Sequence, residues 1–131
     1  MKGKYFLDTN ILVYALLDEG DKTERTLELL PGAVVSVQVL NELANVAKRK
    51  AGLSSLETAD LTKAVAELTR VEPLTLDTHL AGMELSNKFS LSVYDSMIVA
   101  AAISARCAIL YSEDMQHGEV IDSVTIRNPF L

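Results

Sequence analysis

The chain has one cysteine, Cys107, in 131 residues. An internal disulfide is therefore excluded, and so is a zinc site built on cysteines. A reducing compartment, the cytoplasm, is the expected location. The chain also lacks a long apolar run. Its longest near-apolar stretch, residues 97–105, is far short of the ~20 residues that span a bilayer, so no membrane association is expected. Lys2 and Lys4 precede the apolar run 11–17, as in a secretion signal. Asp8 and Asn10 interrupt the approach, and no small-x-small cleavage site follows, so it is not read as one. Positive charge is scarce too. The net charge of -6 argues against a general nucleic-acid coat protein, which carries a basic patch. It leaves room for an enzyme that reaches phosphate through metal ions. There are no repeats, low-complexity stretches or linkers.

What is present is globular composition: 49 % hydrophobic and 23 % charged residues. A chain of this length buries roughly two thirds of its unfolded surface in a single core, and residues 1–131 are read as one domain. Short apolar strands are expected at 4–7, 33–36, 71–74, 108–111 and 120–126. Helices are expected at 9–17, 22–30, 37–51, from Ser54 to about residue 70, from Thr75 or Asp77 to about 88, and at 95–106. Pro31-Gly32 ends the second helix and Gly52 the third. Ser54 with Glu57 forms a capping-box pattern. Strands alternating with helices of about ten residues give an α/β fold. The expected form is a three-layer sandwich, with a mostly parallel central sheet of four or five short strands and helices on both faces.

Ligands of open α/β sheets bind beyond the carboxyl ends of the strands. Asp8 follows the first strand directly. Glu42 sits in the second turn of the helix after residues 33–36. Asp95 opens a helix that leads into the strand 108–111. Asp114 lies three residues past that strand. Each also has an ordinary reading. Asp8 suits a helix N-cap, and Asp95 suits the third helical position of a capping box opened by Ser92. Glu42 suits a solvated face with Gln38, Asn41, Asn45 and Arg49, and Asp114 suits a turn, with Glu113 as its alternative at the site. Three details favour a shared role. Asp8 lies between apolar segments and needs donors or a cation. The helix behind Asp95 is apolar on nearly every face and must be buried. Glu42 has no ion-pair partner at i+3 or i+4. Four carboxylates at one edge need counter-charge. All-oxygen ligation without cysteine or paired histidine points to Mg²⁺ or Mn²⁺. Ions held in this way promote phosphodiester hydrolysis.

Four segments in this order carry a resemblance: Tyr-Phe-Leu-Asp8-Thr9-Asn10-Ile-Leu, Val-Ser-Val-Gln-Val-Leu-Asn-Glu42-Leu, Tyr94-Asp95-Ser-Met-Ile-Val-Ala-Ala-Ala, and Leu-Tyr-Ser112-Glu-Asp114-Met-Gln-His117-Gly118. The tail Ile126-Arg-Asn-Pro129-Phe130 belongs with them. The chain resembles the PIN domain family over its whole length, in particular the VapC-like toxin ribonucleases of prokaryotic toxin–antitoxin pairs. The resemblance implies a Mg²⁺- or Mn²⁺-dependent endoribonuclease that cuts RNA, pairs with a cognate antitoxin blocking its cleft, and forms a homodimer. It makes Asp8, Glu42, Asp95 and Asp114 the catalytic, metal-holding acids, supported by Thr9, Asn10 and Ser112. The sequence departs from the family at His117, where many relatives carry a further acid. That puts a fifth acidic position, and a full second metal site, in question.

Lys48, Arg49 and Lys50 form the one dense basic run. They suit the carboxyl end of a helix dipole somewhat better than RNA phosphates near the site. His117 alone reads as a loop residue, and His79 shows no chemical role. A second reading is a PIN-like module that binds RNA or a protein with a weak or idle metal site. A third, an aspartate-nucleophile phosphatase, ranks low because Asn10 stands where its second aspartate belongs.

Overall fold

A computed structural model describes residues 4–18 and 20–131. Lys2 and Glu19 lie outside the described residues. The elements in chain order are β1 (Tyr5–Leu7), α1 (Thr9–Leu16), α2 (Lys22–Leu29), β2 (Val34–Ser36), α3 (Val37–Arg49), α4 (Ser55–Leu68), β3 (Arg70–Glu72), α5 (Leu76–Phe89), α6 (Val93–Ser104), β4 (Ile109–Tyr111), β5 (Val120–Ile121) and β6 (Val124–Arg127). The sheet order is β3-β2-β1-β4-β6-β5, parallel except for the β5–β6 pair.

The elements match the expected ones with one difference of substance. Residues 120–126 do not form one strand. Asp122 takes a left-handed conformation, φ 52°, and the chain folds back as the hairpin β5–β6. Asp tolerates that region better than most residues. The sheet therefore has six strands, one more than the largest number expected. The expected helix 95–106 begins two residues earlier, because Ser92 is its N-cap and accepts from the Asp95 N–H. The capping box of Ser54 and Glu57 is formed in both directions. Gly52, φ 70°, lies just beyond α3.

Crossovers between parallel strands are right-handed. The chain moves outward from β1 to β3, then returns to place β4 on the other side of β1. The outward path puts α1–α4 on one face and the return puts α5 and α6 on the other. α6 is the core helix: residues 96–102 are all buried. It contacts β2, β4 and β6 beneath it and α5 outside it. Gly82 of α5 permits that last contact, because a Cβ there would lie 2.8 Å from Met97 Cε. Phe6, Leu7, Val35, Leu110 and Ile126 fill the sheet side of the core. No helix among the described residues is long and apolar enough to cross a membrane.

This topology reverses direction between β1 and β4. The crevice at the carboxyl ends of those two strands is where such sheets bind ligands. Asp8 and Ser112 are the residues that follow β1 and β4 directly.

Candidate active site

Asp8 caps α1: its Oδ1 accepts from the Thr9 N–H at 2.7 Å. The ordinary capping reading is thus met, but it uses one carboxylate oxygen only. Oδ2 accepts from the Ser112 hydroxyl at 2.7 Å and from Asn10 Nδ2 at 3.3 Å. The side chain is 4 % exposed. Burial pushes its carboxyl up to about 6, against the Ser112 and Thr9 hydrogen bonds, and Asp95 and Glu42 push it further.

The other three acids reach the same edge by different routes. Thr9 donates its hydroxyl to Glu42 Oε1 at 2.7 Å, so the first turn of α1 holds the second turn of α3. Gln38 donates to Glu42 Oε2 at 2.7 Å from one turn earlier. Asn10 bridges two acids, donating to Asp114 Oδ2 at 3.0 Å as well as to Asp8. Its own oxygen accepts from the Glu113 N–H at 3.2 Å. Asp95, half-buried at the start of α6, has its carboxyl raised first by burial and then by Glu42 and Asp114, while Ser92 opposes the rise. The four acids therefore share one edge and one electrostatic field.

Glu113, the alternative to Asp114, is committed elsewhere. Its carboxylate accepts from Lys22 Nζ and the Tyr14 hydroxyl, and these bonds lower its pKa. Lys22 Nζ also lies 4.6 Å from the centre of the Tyr14 ring and 4.7 Å from that of Phe130. This clamp ties the loop after β4 to α1, α2 and the tail. It leaves Asp114 as the acid of that loop that faces the others.

Thr9, Asn10, Glu42 and Asp114 line a groove of about 440 Å³, with Tyr14 and Lys50 on its walls. Of the three basic residues, Lys50 alone lines it. Lys48 donates to Ser55 at the start of α4, and Arg49 is exposed at the end of α3. His117 Nδ1 accepts from the Asn128 N–H at 2.9 Å.

No lysine or arginine among the described residues forms an ion pair with Asp8, Glu42, Asp95 or Asp114. An all-oxygen set in which the Asp8 and Asp95 carboxyls are raised, with no cationic partner among the described residues, has the donor chemistry that Mg²⁺ or Mn²⁺ requires. The ligand arrangement itself is open. Among the described residues, no three His, Cys, Asp or Glu side chains converge closely enough to hold one ion. The amide of Asn10 and the hydroxyls of Thr9 and Ser112 take up the carboxylate oxygens instead.

Three contributors were missed in the sequence. Gln38 is one turn before Glu42, and i,i+4 spacing was the available signal. Tyr14 and Lys22 carry no motif, because their role comes from a loop about 90 to 100 positions away in the sequence.

The chain matches the PIN domain over residues 5–121, and it belongs to that family. The fold is also that of solved toxin structures. VapC20 of Mycobacterium tuberculosis, described as a toxin that cleaves the sarcin–ricin loop, is 20 % identical with a TM-score of 0.67. The match covers 85 % of this chain and 90 % of that one. A toxin–antitoxin complex from Klebsiella pneumoniae is 18 % identical with a TM-score of 0.72, covering 96 % and 98 %. VapBC2 of Rickettsia felis, bound to a DNA fragment from its promoter, is 22 % identical with a TM-score of 0.69, covering 95 % and 97 %. Comparison with curated protein sequences gives no match.

Proposed function

We propose that this chain is a Mg²⁺- or Mn²⁺-dependent endoribonuclease. It acts in the cytoplasm as the toxin of a toxin–antitoxin pair and works as a homodimer. The observation that carries the reading is the buried Asp8 carboxylate, held by three donors and grouped with three more acids that have no cationic partner among the described residues. The solved complexes of similar fold support an antitoxin partner.

Asp8, Glu42, Asp95 and Asp114 are the residues that would hold the metal. A divalent ion bound there supplies positive charge for the phosphate oxygens and makes water a better nucleophile. The chain's own groups do the positioning. Thr9 and Ser112 fix the two oxygens of Asp8, so the central acid enters with little rotamer freedom left to lose. Thr9 and Gln38 orient Glu42 from both sides, and Asn10 keeps Asp114 in register with Asp8. The groove walled by Tyr14 and Lys50 receives the RNA strand, and Lys50 offsets its charge.

One observation favours a second reading, a PIN-like binding module with an idle site. The carboxylates do not converge on one point, and hydrogen-bond donors occupy their oxygens. Substitution of Asp95 separates the two. Purified chain is expected to cut RNA with Mg²⁺ or Mn²⁺, and Asp95→Asn to cut at least about a hundredfold more slowly. Equal rates for parent and variant would remove the site assignment.

A further inference from the structure

A second cavity, of about 400 Å³, opens at the carboxyl ends of β4 and β6. Its walls include Arg25, His117, Arg127, Asn128 and Tyr111, and no acidic residue lines it. In a chain with 18 acids against 12 basic residues, a pocket lined by two arginines and by no aspartate or glutamate is a distinct electrostatic feature.

The groups are held ready to donate. The Asn128 N–H occupies His117 Nδ1, which leaves Nε2 as the ring's donor. Asn128 Oδ1 accepts from the Phe130 N–H at 2.9 Å, leaving its NH₂ to donate. Arg25 Nε donates to the Pro129 carbonyl at 3.4 Å, which sets its guanidinium against the same turn. Arg127 is exposed and has no ion pair among the described residues. Arg25 Nη1 also lies 3.9 Å from Glu28 Oε2, so Arg127 is the guanidinium free of an ion pair among the described residues. Histidine, amide and guanidinium donors around one space fit an oxyanion.

The backbone links the rim of this pocket to the acids. The Arg127 carbonyl accepts from the Ser112 N–H at 2.9 Å, and the Ser112 hydroxyl holds Asp8. His117 lies three residues after Asp114. We propose that Arg127, Arg25 and His117 form a phosphate subsite that holds a backbone phosphate of the RNA next to the one that is cut. The inference rests on the nuclease reading for the identity of the strand. On this account the histidine at the place of an expected fifth acid belongs to substrate binding and not to a second metal.

The test is binding of a short, fluorescently labelled single-stranded RNA by the full chain in EDTA, over a range of salt concentrations. Arg127→Gln is expected to weaken binding about five- to tenfold and to reduce the salt slope by about 0.7. His117→Asn keeps an acceptor for the Asn128 N–H and removes the Nε2 donor. It is expected to weaken binding about twofold to threefold with an unchanged Tm. Lys63→Gln, an equal loss of charge on the exposed face of α4, is expected to leave the slope unchanged. Unchanged RNA binding by Arg127→Gln overturns the subsite, and cutting that depends on Asp8 would then leave the nuclease reading intact. Arg127-dependent binding in a parent that cuts nothing supports the subsite and removes the nuclease reading. A parent that binds no RNA overturns the subsite, as does an Arg127→Gln variant that loses only a protein partner.

Discussion

The Ser112 hydroxyl donates to Asp8 Oδ2 at 2.7 Å across 104 positions of sequence. Ser112 Oγ in turn accepts from the N–H groups of Asp114 and Met115, both at 3.2 Å. One fully buried hydroxyl therefore fixes the central acid and the loop that brings the fourth. Ser112→Ala removes that hinge and leaves buried donors unsatisfied. The expected cost is about 1.5 to 3 kcal/mol of stability, measured by denaturant unfolding. The Asp8 carboxyl is expected to titrate higher still, because the Ser112 bond is the strongest influence lowering it. NMR titration of that carboxyl checks this. A normal stability and an unmoved titration would show the hydroxyl to be incidental.

Asp8 also sets a pH dependence in metal-free protein. Its carboxyl titrates near 6 in the fold and near 3.8 when unfolded. Between those values the folded state binds more protons, so stability is highest at the acid end and falls as pH rises to about 6. The loss attributable to this group is on the order of 2 to 3 kcal/mol. Asp8→Asn lacks the slope and is expected to melt higher than the parent at pH 7 in EDTA. Mg²⁺ or Mn²⁺ reverses the order: ion at about a hundred times its Kd adds roughly 2.7 kcal/mol to the parent and little to the variant. Melting curves at pH 5 and 7, with and without ion, read both effects.

Much of this site was legible in the sequence because its parts lie where chain geometry leaves little choice. Asp8 ends a strand of three residues, and Asp95 heads a helix too apolar to be anywhere but inside. Ser92 and Ser54 announce helix starts by local hydrogen bonding that needs no tertiary context. The hairpin β5–β6 was not legible, because residues 120–126 have good strand propensity throughout and the turn depends on Asp122 entering a left-handed conformation. The loop clamp was hidden for a different reason. Glu113 and Asp114 are adjacent and alike, and only the distant Lys22 and Tyr14 distinguish them.

That distinction gives a paired prediction. Asp114→Asn is expected to lose most RNA cleavage, while Glu113→Gln keeps it within about threefold, because an amide oxygen still accepts from Lys22 or Tyr14. Lys22 is 39 % exposed, so solvent screens the ion pair and its loss costs little. Steady-state cleavage rates decide the matter. Loss in the Glu113 variant with retention in the Asp114 variant would exchange their roles.

The basic run at the end of α3 divides in the same way. Lys50→Gln is expected to weaken RNA binding severalfold and to lower its salt slope by about 0.7. Lys48→Gln is expected to change neither, because the ammonium already serves Ser55. Fluorescence anisotropy over a range of salt concentrations separates the two, and equal effects would place the strand outside the groove.

The most direct measurement is cleavage of total RNA and transfer RNA by purified chain with Mg²⁺, Mn²⁺ or EDTA, beside Asp8→Asn prepared in the same way. The account predicts cutting that needs the ion and falls at least about a hundredfold in the variant. Equal cutting by parent and variant, or cutting that survives EDTA, would contradict it.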